Sequence, residues 1–429
     1  MKNLDVARVV TAPAREGTLA AIPSKSDAHR ALIAAALAEE PTEILCAATS
    51  DDILATVSCL AALGASVETV EGGYRVSRGT PNAEAVLDAC ESGSTLRFLL
   101  PIAAALGGRY TFIGRGRLPE RPLTPLTAAL RAGGATLLRA ETDKALPLTV
   151  LGGARAGVYE ISGNVSSQYV TGLLFALPLL GGASQIRLTT PLESAPYVEM
   201  TLRTLSKFGV LWQREGNGFL LSDKSRYRSP SCYRVEGDWS SAAFPLVSGA
   251  LGGRVTVRGL RMDSLQADRK ILDALSLAGA SVTSEKDAVT ASGGSLRPFT
   301  FDVSSCPDLF PVLAVLAAGA VGESRLTGGA RLRLKESNRI ATTAAMLRAL
   351  GGEVREEDDG VTVIGRGSLS GGTVDGAGDH RIVMAAATAR GISDGDITVL
   401  GARAAGKSYP TYFDDHTLLK GASHEIILR

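Results

Sequence analysis

The sequence predicts an α/β protein with mixed sheets, in which two domains each contain three copies of one structural module. The first observation is a recurring pattern of an apolar helical stretch, a glycine and a short β-like run. The second is the spacing of about 70 residues, which leaves room for roughly six modules. The third is the length of 429 residues, which fits two domains of about 200 residues. The glycines that mark the pattern are Gly64, Gly134, Gly209, Gly279 and Gly351.

Each module is predicted to run from a helix into two strands joined by a turn. A glycine directly after a helix suits the left-handed backbone of a helix end. After Gly64 the runs SVETV and YRVSR flank EGG, and after Gly351 the runs EVREE and VTVIG flank DDG. The runs VLWQRE and FLLSD after Gly209, and SVTSE and AVTAS after Gly279, repeat this hairpin pattern. The polar segment 222–238 breaks the period and is the candidate crossing between the two halves.

Composition excludes several classes of protein. Hydrophobic residues make up 45% of the chain and charged residues 21%, so it can bury large cores. The net charge of +1 gives no overall attraction to nucleic acid or to an anionic membrane. The longest apolar stretches are too short to span a bilayer, and the N-terminal stretch lacks the apolar region of a signal peptide. Five cysteines without a CxxC pair predict reduced thiols in a cytoplasmic protein.

Seven cations lie far apart in the chain, each in a short polar motif beside a Gly-, Ala- or Leu-rich segment. The motifs read IPSKSDAHR, LPERPL, LKESNRI, GDHRIVMAA and GKSYPTYF. Ser, Pro, Gly and apolar residues frame these cations, which indicates groups aimed at a common anionic ligand and not a solvated face. The seven are Lys25, Arg30, Arg121, Lys335, Arg339, Arg381 and Lys407.

The first motif predicts an anion site at the start of a helix. Ser26 or Asp27 is expected to cap the helix, so that Lys25 and Ser26 lie beside its free backbone N–H groups. Arg30 falls one turn later on the face of Ser26. Simple capping explains Ser26 equally well, but capping does not explain a lysine before it.

Two further helix starts repeat this design. In ESGSTLRFL, Gly93 permits close approach to the backbone, and Arg97 lies in the first turn. In GNVSSQYV, the uncharged Ser166, Ser167 and Gln168 precede an apolar helix and suit phosphate oxygens or sugar-like hydroxyls. Ordinary capping remains the alternative for each serine.

The C-terminal half carries carboxylates among its cations. Asp308 begins a nearly all-apolar helix, where it either complements the helix dipole or takes or orients a hydroxyl proton. In LKESNRI, Lys335 and Arg339 lie four residues apart on either side of Glu336, and like charges at that spacing repel unless they share an anionic ligand. The sequence lacks a phosphate-binding P-loop, a GxGxxG fingerprint and a metal-ligand spacing of histidines or carboxylates, so we expect neither a metal nor a cofactor.

At these residues the chain resembles the 5-enolpyruvylshikimate-3-phosphate synthase family. The matching stretches occur in family order and cover nearly the whole chain. They are PSKSDAHRAL, GSTLRFL, ERPL, SSQYVTGLL, SAPYVEMT, PDLFPVLA, LKESNRI, GDHRIVMA and GKSYPTYF.

The resemblance implies an inside-out α/β barrel fold of two domains, each with three βαβαββ repeats around a buried core of helices. One domain is discontinuous and comprises residues 1–22 and 236–429, residues 23–235 form the inserted domain, and the active site lies in the cleft between them. The implied reaction transfers the enolpyruvyl group of phosphoenolpyruvate to the 5-hydroxyl of shikimate 3-phosphate. The implied protein is a cytoplasmic monomer that binds these two substrates and the inhibitor glyphosate, but neither nucleic acid nor membrane.

The resemblance also implies a role for each site residue. Arg339 and Arg381 clamp the carboxylate of phosphoenolpyruvate, Asp308 faces the 5-hydroxyl, and Glu336 shuttles the proton at the methylene carbon. The group that holds the phosphate of phosphoenolpyruvate comprises Lys25, Gly93, Arg121, Gln168 and Lys407. The implied catalytic residues are Asp308, Glu336 and Lys25. The group that holds shikimate 3-phosphate comprises Ser26 and Arg30 at the carboxylate, and Ser166, Ser167, Ser194 and Lys335 at the phosphate, with Tyr197 nearby.

Four positions depart from the family pattern. Glu91 and Ser94 replace an asparagine and a threonine, which leaves the degree of glyphosate sensitivity open. Arg331 replaces an asparagine that touches the shikimate phosphate in some members, and Asn338 replaces an aspartate between catalytic residues.

Two alternative functions stay open at this point. A sister enzyme adds enolpyruvyl to UDP-N-acetylglucosamine, but it has a Lys-Asn pair at the position of Lys25 and Ser26. It also has a reactive cysteine in a glycine-rich loop, where this chain reads GRGRLPERPL. The second alternative is a non-catalytic anion-binding protein, against which the presence of both Asp308 and Glu336 argues.

Overall fold

A computed structural model describes residues 6–139, 143–222 and 224–427 of the protein. Its contacts divide the chain into two compact units. The inserted unit is Pro23–Val235, and the discontinuous unit joins Met1–Ile22 to Glu236–Arg429. Within the described residues, each unit contains three four-stranded sheets and six α-helices.

The strands are short and follow one another in a regular alternation with the helices. In chain order they are β1 (Val6–Ala12), β2 (Glu16–Ala20), β3 (Thr42–Leu45), β4 (Ser66–Val70), β5 (Gly73–Ser77), β6 (Glu84–Asp88), β7 (Arg109–Ile113), β8 (Leu137–Arg139), β9 (Leu148–Val150), β10 (Val158–Ile161), β11 (Gln185–Leu188), β12 (Trp212–Arg214), β13 (Gly218–Leu221), β14 (Cys232–Arg234), β15 (Arg254–Arg258), β16 (Ser281–Ser284), β17 (Ala288–Ser292), β18 (Thr300–Asp302), β19 (Gly322–Thr327), β20 (Glu353–Glu356), β21 (Val361–Gly365), β22 (Gly372–Asp375), β23 (Ile397–Leu400) and β24 (Ala422–Ile427).

The helices alternate between long buried ones and more amphipathic ones. In chain order they are α1 (Lys25–Leu37), α2 (Asp51–Ala62), α3 (Gly93–Leu106), α4 (Thr124–Ala132), α5 (Ser167–Ala176), α6 (Ala195–Lys207), α7 (Trp239–Ala250), α8 (Ile271–Leu277), α9 (Phe310–Gly319), α10 (Arg339–Ala349), α11 (His380–Ala389) and α12 (Tyr412–Leu418).

All six sheets share one strand pattern. Each has a parallel pair at one side, such as β6 with β7, followed by two antiparallel pairings, such as β7 with β9 and β9 with β8. A parallel pair needs a crossover helix, whereas the antiparallel strands need only a turn, so the pattern is that of a βαβαββ unit. The sheets remain open and four-stranded, and none closes on itself. The predicted hairpins after the marking glycines are confirmed by β4–β5, β12–β13, β16–β17 and β20–β21.

Distant chain segments complete three of the sheets. In the discontinuous unit, β1 lies between β23 and β24, and β2 pairs in parallel with β15. In the inserted unit, β14 pairs in parallel with β3. The segment 222–238, the predicted crossing, therefore contains a strand of the inserted unit, and the division between the units falls after Val235.

The predicted core of buried helices is confirmed. The helices α1, α3 and α5 of the inserted unit and α7, α9 and α11 of the discontinuous unit are buried over most of their length. In α9 every residue from Phe310 to Ala318 is buried, so this helix has no polar face. Gly172 shows how closely such helices pack, because a Cβ there would lie 2.3 Å from the Arg97 carbonyl oxygen of α3.

The five marking glycines all have a left-handed backbone, with φ between +78° at Gly209 and +104° at Gly64. The sixth module ends in the same way, but its left-handed residue is Lys420, with φ of +64°. Sequence reasoning missed this end because a lysine does not signal left-handed backbone. The prediction of six modules is thereby confirmed.

We predict that Gly64→Ala destabilises the protein more than Gly72→Ala. Both residues are left-handed, so both substitutions incur a backbone cost of about 1–2 kcal/mol. At Gly64 a Cβ would also lie 2.1 Å from the Thr80 carbonyl oxygen, whereas at Gly72 nothing lies within 4 Å. Urea unfolding followed by circular dichroism measures the difference, and equal midpoints for the two variants would contradict the steric argument.

Candidate active site

In the inserted unit, α1 begins with two cations that have different partners. Ser24, and not the predicted Ser26 or Asp27, caps α1 and accepts a hydrogen bond from the Asp27 backbone N–H. Lys25 and Ser26 therefore lie within the first helical turn. The Lys25 ammonium lies 2.8 Å from a carboxylate oxygen of Asp52 on α2, and both side chains are largely buried.

Arg30 joins α1 to the start of α6. Its guanidinium donates to the Ser26 carbonyl at 2.5 Å, to the Tyr197 carbonyl at 2.9 Å and to the Thr201 hydroxyl at 2.9 Å. Burial lowers the pKa of Arg30 to about 10, while Asp27 acts in the opposite direction. The side chain therefore stays cationic at neutral pH, and it contacts the backbone of both Ser26 and Tyr197.

Gly93 lies beneath two guanidinium groups. A Cβ at this position would lie 2.5 Å from Nη1 of Arg97 and 2.7 Å from Nη1 of Arg121. Arg97 also donates to Oε1 of Gln168 at 2.8 Å, and the Gln168 amide donates to the Ser94 hydroxyl at 3.0 Å. The starts of α3 and α5 and the loop at Arg121 thus form one group of donors.

The predicted serines lie at two further helix starts. Ser166 caps α5 through a hydrogen bond from the Gln168 backbone N–H, and Ser167 is the first residue of that helix. Ser194 precedes α6 with a left-handed φ of +51°, and α5 and α6 pack against each other. Capping therefore accounts for Ser166 but leaves the hydroxyls of Ser167 and Ser194 without a capping role.

In the discontinuous unit, Arg339 contacts three carboxylates, which together with it are called the Arg339 cluster. Its guanidinium donates to Asp308 at 2.6 Å, to Glu336 at 2.7 Å and to Asp379 at 2.8 Å. Arg339 is 1% exposed and Asp379 is fully buried. Burial lowers the pKa of Arg339, but Asp379, Glu336 and Asp308 together raise it well above its ordinary range. The anion that offsets the predicted repulsion between Lys335 and Arg339 is thus supplied by the protein itself.

Asp308 has cations on several sides. It lies in a short 3-10 helix, Pro307–Leu309, that leads into α9. Besides Arg339, it contacts Arg381 at 3.3 Å and Lys335 at 3.9 Å. Burial by itself would raise the pKa of Asp308, but Arg381, Lys335 and Arg339 hold it well below the ordinary range. Asp308 is therefore ionised at neutral pH.

Arg381 is buried with part of its hydrogen-bonding capacity unused. Only its Nη2 contacts Asp308, while Nε and Nη1 have no hydrogen-bond partner among the described residues. A buried guanidinium with unused donors is suited to a bidentate anion.

Lys407 ends a 3-10 helix, Ala402–Lys407. Its ammonium donates to the Gly378 carbonyl at 2.6 Å, and Gly378 directly precedes Asp379, the cap of α11.

Comparisons with known proteins agree with one another. The profile of a family described as EPSP synthase (3-phosphoshikimate 1-carboxyvinyltransferase) matches residues 10–416. A relative from Clostridium kluyveri named 3-phosphoshikimate 1-carboxyvinyltransferase is 40% identical over 417 residues, which cover 96% of each chain. One of the same name from Methanocorpusculum labreanum is 40% identical and covers 93% of this chain and 95% of its own.

A solved structure of EPSP synthase from Acinetobacter baumannii matches with a TM-score of 0.82 at 25% identity, over 98% of this chain and 100% of the other. The chain belongs to the EPSP synthase family. This finding confirms the predicted family, and the six sheets and buried helices confirm the predicted fold class.

Sequence reasoning did not single out two carboxylates that contact the predicted site residues. Asp52 pairs with Lys25, and Asp379 both caps α11 and binds Arg339. The signal for Asp379 was its place in the GDHRIV motif beside Arg381. The signal for Asp52 was weak, because its pairing partner lies 27 residues away and acids in a first helical turn are common.

Three departures from the family pattern have visible contacts. Asn338 caps α10 by accepting a hydrogen bond from a backbone N–H, a role that asparagine and aspartate fill equally well. Arg331 donates to the Ser304 carbonyl at 3.0 Å, and Ser94 accepts from Gln168 at 3.0 Å.

Among the described residues, no group of three His, Cys, Asp or Glu side chains has the arrangement of metal ligands, and no helix is long and apolar enough to cross a membrane.

We predict that Asp379→Asn destabilises the protein strongly, while Glu353→Gln has little effect. Both carboxylates lie 2.8 Å from an arginine, but the Asp379 pair is buried and the Arg366–Glu353 pair is 71% and 53% exposed. Removing one charge from a buried pair costs about 3 kcal/mol or more, although Arg339 keeps two other carboxylates. Solvent screens the exposed pair. Equilibrium urea unfolding compares the variants, and equal losses would contradict the role of burial.

Proposed function

We infer that the protein transfers the enolpyruvyl group of phosphoenolpyruvate to the 5-hydroxyl of shikimate 3-phosphate and releases phosphate. Membership of the EPSP synthase family over residues 10–416 supports this reaction. The observation that carries it in this chain is the Arg339 cluster, in which Asp308 and Glu336 share one buried guanidinium beside Lys335 and Arg381. Cations suited to anionic substrates and carboxylates suited to proton transfer are thus neighbours.

Shikimate 3-phosphate is proposed to bind through its carboxylate to Ser26 and Arg30. Arg30 stays charged, and hydrogen bonds to Thr201 and to the Tyr197 carbonyl hold its guanidinium in place. These bonds fix the direction in which its other N–H groups point. The residues proposed for the 3-phosphate are Ser166, Ser167, Ser194 and Lys335, with Tyr197 beside them.

Phosphoenolpyruvate is proposed to bind through its phosphate to donors around Gly93 and through its carboxylate to Arg339 and Arg381. Because Gly93 has no side chain, the guanidinium groups of Arg97 and Arg121 lie close to its backbone. Arg381 has two unused buried donors for a carboxylate. The residues proposed for the phosphate are Lys25, Arg121, Gln168 and Lys407, with the Gly93 backbone.

Binding of the carboxylate requires an exchange of partners at Arg339. This guanidinium is occupied by Asp308, Glu336 and Asp379, of which only Asp379 is fully buried. A substrate anion would displace the two more exposed carboxylates. The same anion would offset the cations that depress the pKa of Asp308, so that Asp308 becomes a better base when substrate is present.

The chemistry then needs proton transfers at both substrates. Protonated Glu336 transfers its proton to the methylene carbon and leaves the neighbouring carbon electron-poor, and the 5-hydroxyl oxygen attacks that carbon while Asp308 accepts the hydroxyl proton. The tetrahedral adduct carries both substrates. Elimination returns a methyl proton to Glu336 and breaks the C–O bond to phosphate, which takes the proton from Asp308 as it leaves. The surrounding cations stabilise the charge on the departing phosphate.

Phosphate release measured with both substrates tests this proposal against the two alternatives. The proposed enzyme releases phosphate with shikimate 3-phosphate but not with UDP-N-acetylglucosamine. The sister enzyme shows the reverse preference, and a non-catalytic binding protein releases none. Binding in a cleft between the two domains, a monomeric state, a cytoplasmic location and inhibition by glyphosate stay predictions of the sequence.

We predict that Glu336→Gln separates chemistry from binding. The amide keeps the size and hydrogen bonding of the side chain but does not move a proton, so kcat should fall by about 10²-fold or more with little change in KM. Arg30→Ala serves as the comparison, because it removes binding felt in ground and transition states alike and should mainly raise KM for shikimate 3-phosphate. If Glu336→Gln changed only KM, Glu336 would be a structural partner of Arg339.

We predict that Gly93→Ala weakens glyphosate more than phosphoenolpyruvate. The new methyl group would lie 2.5 Å from the end of Arg97 and 2.7 Å from that of Arg121, so both side-chain ends would have to shift. Steady-state kinetics gives KM for phosphoenolpyruvate and the inhibition constant for glyphosate in the same variant. Equal losses for the two ligands would rule out a steric distinction at this position.

A further inference from the structure

Asp268 is a buried carboxyl group that the proposed reaction does not use. It lies in a 3-10 helix, Ala267–Lys270, that packs against α7 in the discontinuous unit. Its side chain accepts a hydrogen bond from the Ser240 hydroxyl in the first turn of α7, and the residue is 1% exposed. Its second oxygen, Oδ1, has no hydrogen-bond partner among the described residues. An ionised carboxylate buried with a single donor is costly, whereas the protonated acid is much less so.

The elements that pack against α7 include three with groups that bear on Asp268. They are α11, which carries Arg381, the 3-10 helix of Asp308, and the helix of Asp268 itself. The charged or titratable groups that act on Asp268 are Asp308, Arg381 and Asp238, and Asp268 in turn acts on the Cys306 thiol. Asp308 contacts the Arg381 guanidinium, and Asp268 acts on the same guanidinium through its charge.

We propose that Asp268 holds a proton in the substrate-free protein and, as a positioning residue for Arg381, sets how well that arginine binds the carboxylate of phosphoenolpyruvate. The proposal rests on the function inferred above and deepens it. While Asp268 is neutral, it does not compete with the substrate for Arg381, which contacts Asp308. Once Asp268 is ionised, it attracts the same guanidinium and repels the incoming anion.

The pKa values of the two carboxyl groups support a protonated Asp268 beside an ionised Asp308. Burial, and next the negative charge of Asp308, raise the pKa of Asp268 to about 7, against the opposing effects of Arg381 and Ser240. The pKa of Asp308 is held well below its ordinary range by Arg381, Lys335 and Arg339. Two carboxyl groups whose environments push their pKa values apart hold different charges at the same pH.

Linkage fixes the direction of the effect. An anion at Arg381 adds negative charge near Asp268 and raises its affinity for a proton, so by reciprocity protonated Asp268 favours the anion. The affinity for phosphoenolpyruvate should therefore be full below about pH 7 and fall as the pH rises above it. One linked proton allows KM to rise by up to about tenfold per pH unit.

The test is the pH dependence of KM for phosphoenolpyruvate in the wild type and in Asp268→Asn, from about pH 5.5 to 9. Asparagine stays neutral and still accepts the Ser240 hydrogen bond, so the variant should lose the rise in KM above pH 7. Titration of the substrate phosphate is common to both proteins and cancels in the comparison. Asp273→Asn is the matched control, because Asp273 is an exposed acid five residues away. This control should follow the wild type.

Ser240→Ala keeps the proposal testable if Asp268→Asn fails to fold. The Ser240 hydroxyl stabilises the ionised carboxylate, so its removal should move the rise in KM to higher pH and not abolish it. Profiles of both variants that coincide with the wild type would overturn the proposal. A uniform loss of kcat with the wild-type pH dependence retained would also overturn it. Absence of phosphate release by the wild type would instead refute the proposed reaction.

Discussion

The backbone of a helix that is buried on all sides has unpaired polar groups only at its ends, and this constraint governs where chemistry can occur in the protein. The first backbone N–H groups of such a helix need partners. In α1, α3, α5, α7 and α11 a serine or aspartate caps the helix, namely Ser24, Ser92, Ser166, Asp238 and Asp379. The helix start beyond each cap still carries a partial positive charge. The βαβαββ repeat therefore produces one anion-favouring helix end after another. Two of the cationic motifs, IPSKSDAHR and GDHRIVMAA, lie at the starts of α1 and α11.

In the discontinuous unit, carboxylates of the protein balance the charge of the buried arginines when no substrate is bound. Arg339 and Arg381 are buried, which is unfavourable for two like charges unless carboxylates lie between them. Asp308 contacts both, and Asp379 and Glu336 complete the balance at Arg339. The protein's own carboxylates thus occupy the positions that substrate anions are proposed to take. Substrate binding is then an exchange of anions and not the filling of an unbalanced cationic site.

In the inserted unit, the buried cations donate hydrogen bonds mostly to neutral acceptors. Arg30 donates to two carbonyls and a hydroxyl, and Gln168 is fixed between Arg97 and Ser94. Lys25 is the exception, because it pairs with Asp52. Neutral acceptors orient a cation without neutralising it. The inserted unit therefore keeps more of its positive charge available to a ligand, whereas the discontinuous unit combines positive charge with groups that carry protons.

The sequence by itself determined the features that depend on neighbouring residues. The period of about 70 residues predicted six modules, and turn residues and apolar stretches predicted their hairpins and buried helices, because these signals can be read along the chain without knowledge of tertiary contacts. Local signals failed at two ends. The cap of α1 is Ser24 and not Ser26 or Asp27, and the sixth module ends in a left-handed lysine, Lys420.

Tertiary structure alone decided which charges meet. The partners of Arg339 at positions 308, 336 and 379, the pairing of Lys25 with Asp52 and the burial of Asp268 beside Ser240 depend on how the helices pack. A charge is visible in the sequence, but its burial and its partner are not. The protonation state of a carboxyl group such as Asp268 or Asp308 follows from both, so it is fixed only when the chain has folded.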